Sequence, residues 1–149
     1  MEAKGDIMFL FYLSMSLTVL SNVLYHIFQK LTPPNVNPMA ALAVTYATAM
    51  IICFALIPLY PPRTNLIESI RHLNWTSFAL AIAITGLELG FLLAYRAGWN
   101  LSLAAIVSNV TVTLMMVPIG LFFFKETLSL VNFIGIVICI VGLVMVTQK

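Results

Sequence analysis

Charge is what this sequence has least of. Its 149 residues include seven Lys or Arg and five Asp or Glu, only 8% of the chain. A soluble domain carries about 25%. Twelve charges cannot cover a water-facing surface, which excludes a soluble globular enzyme, a disordered tail and a nucleic-acid binder. The net charge of +2 argues for no acidic partner. Cysteine is almost as scarce. Cys53 and Cys139 each sit in a long apolar run, with no CxxC and no His, Asp or Glu at ligand spacing, and read as buried small hydrophobes. A glycine-rich phosphate loop, a zinc motif, paired intramembrane carboxylates, a His cluster and a filter-like loop of the potassium-channel type are also missing. No cofactor, metal or catalytic constellation is therefore expected.

What is there is apolar. Hydrophobic residues make up 62% of the chain, and mean hydropathy is +1.06. A helix needs about 20 apolar residues to cross the bilayer core. Five stretches qualify, at 7–28, 39–60, 75–95, 103–124 and 128–147. Pro33, Pro34 and Pro38 make the first break between spans, and Pro61 and Pro62 the second, because proline cannot continue a helix. Residues 96–102 separate spans three and four. Lys125, Glu126 and Thr127 leave so little chain between spans four and five that those helices must form a tight hairpin. Residues 63–74 read as a short interfacial helix, with Asn65 as cap, Glu68 three residues on, and Leu66, Ile67, Ile70 and Leu73 at helical spacing. The N-terminus does not read as a signal peptide. Glu2 and Asp6 flank Lys4, the apolar run is too long, and no small-residue cleavage site follows it.

An odd span count puts the ends of the chain on opposite sides. Lys4, Arg63, Arg71 and Lys125 then face Lys30, Arg96 and Lys149 across the membrane. Four against three barely specifies an orientation. Either few charges scatter by chance, or the chain inserts both ways and pairs with its inverted copy.

Function has to be read from polar residues at membrane depth. Glu88 stands near the middle of span three. A charge there costs at least ~2.5–3.5 kcal/mol on insertion scales, and such residues often mark a pathway. A carboxyl that is neutral when dry, and charged when wet or paired with a cation, is a physical basis for proton exchange. The other reading is a hydrogen bond to a neighbouring helix. Gly86, Gly90 and Ala94 repeat every four residues, a small-residue packing pattern. Glu88 lies about 200° from Gly86, so it points away from that face, in company with Thr85, Phe91, Leu92 and Tyr95. Aromatics beside an acid suit a lipophilic cation or an amine, and they are common core residues as well.

Span one carries Ser14, Thr18, Ser21, Asn22, Tyr25 and Gln29 within an arc of about 100°. Such a stripe must face protein or water, either as a lined cavity or through interhelical hydrogen bonds. His26 at its edge reads as a satisfied polar residue near the boundary. Span four places Ser102, Asn109 and Thr113 on one face and Pro118 inside the helix, as a hinge or a static bend. Span two offers Thr45, Tyr46 and Thr48, less aligned. Span five has Asn132, Gly135, Cys139 and Gly142 in a narrow stripe that reads as packing or dimer contact.

These features occur in a familiar order. The run from Leu92 through Tyr95, Arg96, Ala97, Gly98 and Trp99, then Ser102 to Ala105, Pro118, Phe124-Lys125-Glu126-Thr127-Leu128, and Ile134-Gly135-Ile136 to Gly142 resembles one EamA-type repeat of the drug/metabolite transporter superfamily. Ser21-Asn22 resembles its first helix. Lys125 stands where that family usually has Gly before the Glu. The usual member has two five-span repeats related by inversion, and this chain has one. It is similar in that respect to the small multidrug resistance proteins, whose essential Glu is in the first span; here the acid is Glu88, in the third. The resemblance implies an all-α integral membrane protein in a bacterial or archaeal cytoplasmic membrane. It would have five transmembrane helices plus the short interfacial helix in a single domain, residues 1–149, and form an inverted homodimer. The activity expected is secondary transport, by export or exchange of a small metabolite or drug-like solute, with Glu88, on its depth in span three and not on any family motif, either exchanging a proton for the solute or binding the solute. Thr18, Asn22, Tyr25, Tyr95 and Asn109 would contact the solute at the midplane. The alternative is an accessory subunit of a heteromeric membrane complex.

Overall fold

A computed structural model describes residues 2–60 and 65–147, with side chains from residue 8 onward. Pro61, Pro62, Arg63 and Lys149, and the side chain of Lys4, lie outside the described residues. Most of the described residues are helical, and none of them lies in a strand. The helices are α1 (Glu2–Leu31), α2 (Pro38–Leu56), α3 (Leu66–Arg71), α4 (Trp75–Arg96), α5 (Leu101–Phe123) and α6 (Leu130–Thr147). Five of them are long and apolar enough to cross a membrane: Met8–Leu31, Pro38–Leu59, Trp75–Arg96, Leu101–Phe123 and Leu130–Thr147. The five spans read from hydropathy are thus all present, with ends shifted by a few residues.

Local chemistry sets those ends. Pro38 does not break α2; it begins it, at the first helical position where a missing N–H costs nothing. Asn37 caps that end, its Oδ1 accepting from Met39 N at 2.8 Å and Ala40 N at 3.4 Å. At its other end α2 tightens into a 3-10 turn over Ile57–Leu59, with Pro58 inside it. Asn74, expected within the short helix, instead caps α4, its Oδ1 accepting from Thr76 N at 3.0 Å and from the Thr76 hydroxyl. The short helix shrinks to the six residues of α3. Asn65 occupies its N-cap position but makes no side-chain cap bond, so the expected capping box is not formed.

The chain divides into two compact units, residues 28–96 and residues 1–27 with 97–149. In the first, α2 packs on α4, around Leu42, Leu92 and Tyr95. The Arg96 guanidinium donates to the carbonyls of Pro33 and Val36, at 3.1 and 2.8 Å. This places the end of α4 beside the start of α2, so the two run antiparallel.

In the second unit α5 packs on α6, with Ala104, Gly120 and His26 buried. The expected hairpin closes tightly. Lys125 takes a left-handed conformation, φ 53°, and the next amide, Glu126 N–H, donates to Gly120 O at 3.0 Å. A left-handed residue in this role is usually glycine. A Cβ on Gly120 would stand 2.5 Å from a Glu126 carboxyl oxygen, so the hairpin uses the bare glycine surface as its seat.

Two expectations about packing fail. Cys53 and Cys139 are exposed. On spanning helices the surroundings are hydrocarbon, as apolar as a core, so the composition of the run does not distinguish inside from outside. On α4 the roles of the two faces are exchanged. An added Cβ at Gly86 or Gly90 would meet nothing within 4 Å, whereas Leu92, 1% exposed, and Tyr95 are buried on the face that carries Glu88. Large side chains fill the space against α2, and the glycine face is left open.

Candidate functional site

Glu88 sits at the centre of the polar groups in residues 28–96. It is half-buried on α4. Tyr46 pairs with it in depth, carrying its hydroxyl on α2, the helix packed against α4. That hydroxyl oxygen is buried and closes a hydrogen bond with nothing among the described residues. The pairing follows from depth. Tyr46 stands eight residues into α2 from Pro38, and Glu88 eight residues before Arg96 at the end of α4. Both are therefore roughly 12 Å from the same boundary of an antiparallel pair. Sequence reading passed over Tyr46 because its neighbours Thr45 and Thr48 did not align with it. Counting depth from the two turns was the signal that could have found it.

Toward the boundary the site becomes aromatic and basic. Phe91 stacks on Tyr95, ring centroids 6.1 Å apart. Tyr95 is 6% exposed, and the Lys30 ammonium stands over its ring, 5.3 Å from the centroid. Gln29 Nε2 donates to the backbone carbonyl of Glu88 at 3.0 Å. Gln29 and Lys30 thus bring the end of α1 onto the Glu88 face of α4. Of the residues assigned to the site from sequence, Glu88 and Tyr95 lie in this unit and share a helix face.

Thr18, Asn22, Tyr25 and Asn109 belong to the other unit. The Thr18 hydroxyl donates to the carbonyl of Ser14 in its own helix at 2.9 Å. Ser14 does the same toward Phe11, at 2.9 Å. At these two positions the stripe needs no outside partner, because a hydroxyl can satisfy itself on the carbonyl of its own preceding turn, whereas Gln29 at the end of the stripe does bond another helix. Asn22 is exposed, and Tyr25 sets its ring edge against His26, centroids 5.2 Å apart. His26 itself is buried. Asn109 lines a groove of about 380 Å³ between α5 and α6. Thr113, Asn132, Gly135 and Cys139 line it too, so the polar face of α5 and the small-residue stripe of α6 form one feature. A second cleft, of about 530 Å³, lies among Gly98, Trp99, Asn100, Leu103, Val146 and Thr147 and holds none of the anticipated residues. No group of three or more His, Cys, Asp or Glu that could hold a metal occurs among the described residues.

Five apolar helices of spanning length, with an acid at depth in one of them, define a helical integral membrane protein. The family model described as the EamA-like transporter family matches residues 9–148. The chain belongs to this family of membrane transporters of small solutes, as the order of its motifs had suggested. Comparison with curated proteins and with solved structures gives no significant match.

Proposed function

We propose that this chain moves a small solute across the membrane by secondary transport, with Glu88 binding proton and solute in alternation. The observation that carries this reading is the half-buried carboxyl inside α4, with an aromatic pair leading from it to the boundary. In hydrocarbon the neutral acid is the cheaper state, and ionisation needs water or a partner. A solute that brings a cationic or hydrogen-bonding group supplies that partner, so binding displaces the proton and acid weakens binding. Tyr95 contacts the solute on its way to Glu88. The reading also assigns solute contact to Thr18, Asn22, Tyr25 and Asn109, on sequence grounds.

The working unit is an inverted homodimer, and α3 lies in the membrane interface. The near-balance of Lys and Arg on the two sides supports insertion in both orientations. The open glycine face of α4 supports close approach of a second copy. Reporter fusions at the C-terminus check the orientation: signals from both sides are expected, and one clean orientation removes the inverted pair.

The deciding experiment is thermal stability of the purified protein with amines, lipophilic cations, amino acids and sugars at two pH values, beside Glu88→Gln. Stabilisation by one chemical class is expected, weaker at low pH and absent in the variant. Equal stabilisation of the variant takes Glu88 out of the mechanism.

A further inference from the structure

The aromatic pair on the Glu88 face already holds a cation, and it is the protein's own. The Lys30 ammonium stands 5.3 Å from the centroid of the Tyr95 ring, inside the ~6 Å within which a ring face attracts a cation. Tyr95 is buried and stacks on Phe91, the ring planes 25° apart. Lys30 is an exposed residue one position before the end of α1. A lysine there has water within reach of its long stem and ordinarily sends its charge outward. Here the charge goes to a ring instead, which shows what that ring accepts.

The neighbouring residue fixes the geometry. Gln29 Nε2 donates to the Glu88 carbonyl at 3.0 Å, two turns farther from the boundary than Tyr95, roughly 10 Å along the helix. Two consecutive residues of α1 thus bracket the stretch of α4 that carries Phe91 and Leu92. While α2 packs directly on α4, the end of α1 is carried to it by these long side chains. A link of that kind opens without unpacking a helix pair. Arg96, the cation next to Tyr95 in the chain, is committed to the carbonyls of Pro33 and Val36 and does not compete for the ring.

We propose that Lys30 is a specificity-determining residue, a tethered ammonium on the Tyr95 ring that a cationic group of a solute must displace on its way to Glu88. This rests on the reading of the Glu88 face as the path of the solute. Like charges repel, so the occupied ring turns a cation away. The tether presents the ammonium at an effective concentration on the order of millimolar, so a cation that binds the ring weakly stays out. One that binds it well drives the Lys30 side chain into water at the boundary, where a lysine is stable, and takes its place on the ring. A neutral or anionic group meets no such competition. The exchange is non-covalent and moves no proton.

The test takes the full chain in lipid nanodiscs, with lysine labelled by 13C at Cε and benzyltrimethylammonium as the probe. The chain has four lysines, and Lys30→Arg identifies the Lys30 signal by its loss. That signal is expected upfield of the others through the ring current of Tyr95, and it should move back toward them as the probe is added. In Lys30→Met the probe binds about fivefold more tightly, the worth of one cation–ring contact. Lys30→Arg keeps the wild-type affinity, because a guanidinium sits on a ring as well; a lysine that merely held the end of α1 would not separate these two variants. Should Lys30→Met fail to fold, Lys30→Gln takes its place with the same expectation. A Lys30 signal without the ring-current shift overturns the proposal. So does a shift that the probe leaves unmoved, an unchanged or weaker affinity in Lys30→Met, or no binding to either protein. The same titration in Glu88→Gln keeps the two ideas apart: displacement of Lys30 at unchanged affinity takes Glu88 out of solute binding and leaves the role of Lys30 standing.

Discussion

Residues 28–96 and the α5–α6 unit are built from helices of similar length and apolarity, yet they dispose of their polar groups differently. In the α5–α6 unit the hydroxyls turn back on their own helices: Thr18 to Ser14, Thr113 to Asn109, Thr147 to Leu143. Thr45, Thr48 and Thr85 do the same in residues 28–96. The difference lies in longer side chains. Gln29, Lys30 and Arg96 reach from one element to another. A hydroxyl is short enough to be satisfied one turn back; an amide, a guanidinium or a carboxyl is not. Long polar side chains in a membrane helix are therefore the ones that report on tertiary structure.

The largest expected effect breaks the first unit at its proposed functional centre. Glu88→Gln keeps size and hydrogen-bonding capacity and removes the titrating proton. Transport or solute binding in that variant should lose its pH dependence entirely while the protein still folds, checked by flux at two pH values beside thermal stability. Unchanged pH dependence places proton coupling elsewhere.

Next come the contacts that hold the unit together. Arg96→Ala removes two charge-assisted bonds to the carbonyls that bracket the α1–α2 turn. The loss should be about 2 kcal/mol in unfolding from detergent, the group being part-exposed. Leu92→Ala empties the most buried position of α4. A soluble core would lose 2–5 kcal/mol; with lipid as apolar as the core, about 2 kcal/mol is expected here. A loss below about 0.5 kcal/mol in both variants would mean that the α2–α4 pair is not a cohesive unit.

A smaller and opposite effect is expected in the second unit. Lys125 holds a left-handed backbone, which costs a non-glycine residue on the order of 1 kcal/mol. Lys125→Gly should raise stability by up to about that amount, less the entropy glycine adds to the unfolded chain. A fall in stability would show that the lysine ammonium makes a contact worth more than the strain.

The spans were legible because bilayer thickness and proline stops are one-dimensional constraints that a hydropathy count reads directly. The hairpin at Lys125 was legible for the same reason, there being no chain to spare. Which face of α4 packs was not. Gly86 and Gly90 promised close approach and Leu92 looked interchangeable with any lipid-facing leucine, because hydropathy has no contrast between core and hydrocarbon. Tyr46 was hidden since its importance depends on an element 42 residues away at equal depth. The site was thus half visible: the acid and Tyr95 could be picked out on one helix, while the hydroxyl, the amide of Gln29 and the ammonium of Lys30 arrive from two others.

The smallest effect is the sharpest check on the comparison between units. Thr18 was assigned to the solute site for its place in the α1 stripe, yet its hydroxyl already has an acceptor in Ser14 O. Valine keeps the shape and removes the donor. Ser14 O remains within its helix ladder, so Thr18→Val should change stability by less than about 0.5 kcal/mol. Two measurements then separate the roles this residue could have. If stability and solute-induced stabilisation are both unchanged, the stripe on α1 is polar by composition only, its hydroxyls folded back into the helix. If stability holds and solute stabilisation falls, Thr18 contacts solute and releases Ser14 to do so, a cheap exchange because a back-bonded hydroxyl loses little on turning outward. A stability loss above about 1 kcal/mol would fit neither. It would mean that hydroxyls, like the longer side chains of residues 28–96, tie helices together here, and the distinction between short and long polar groups would have to be given up.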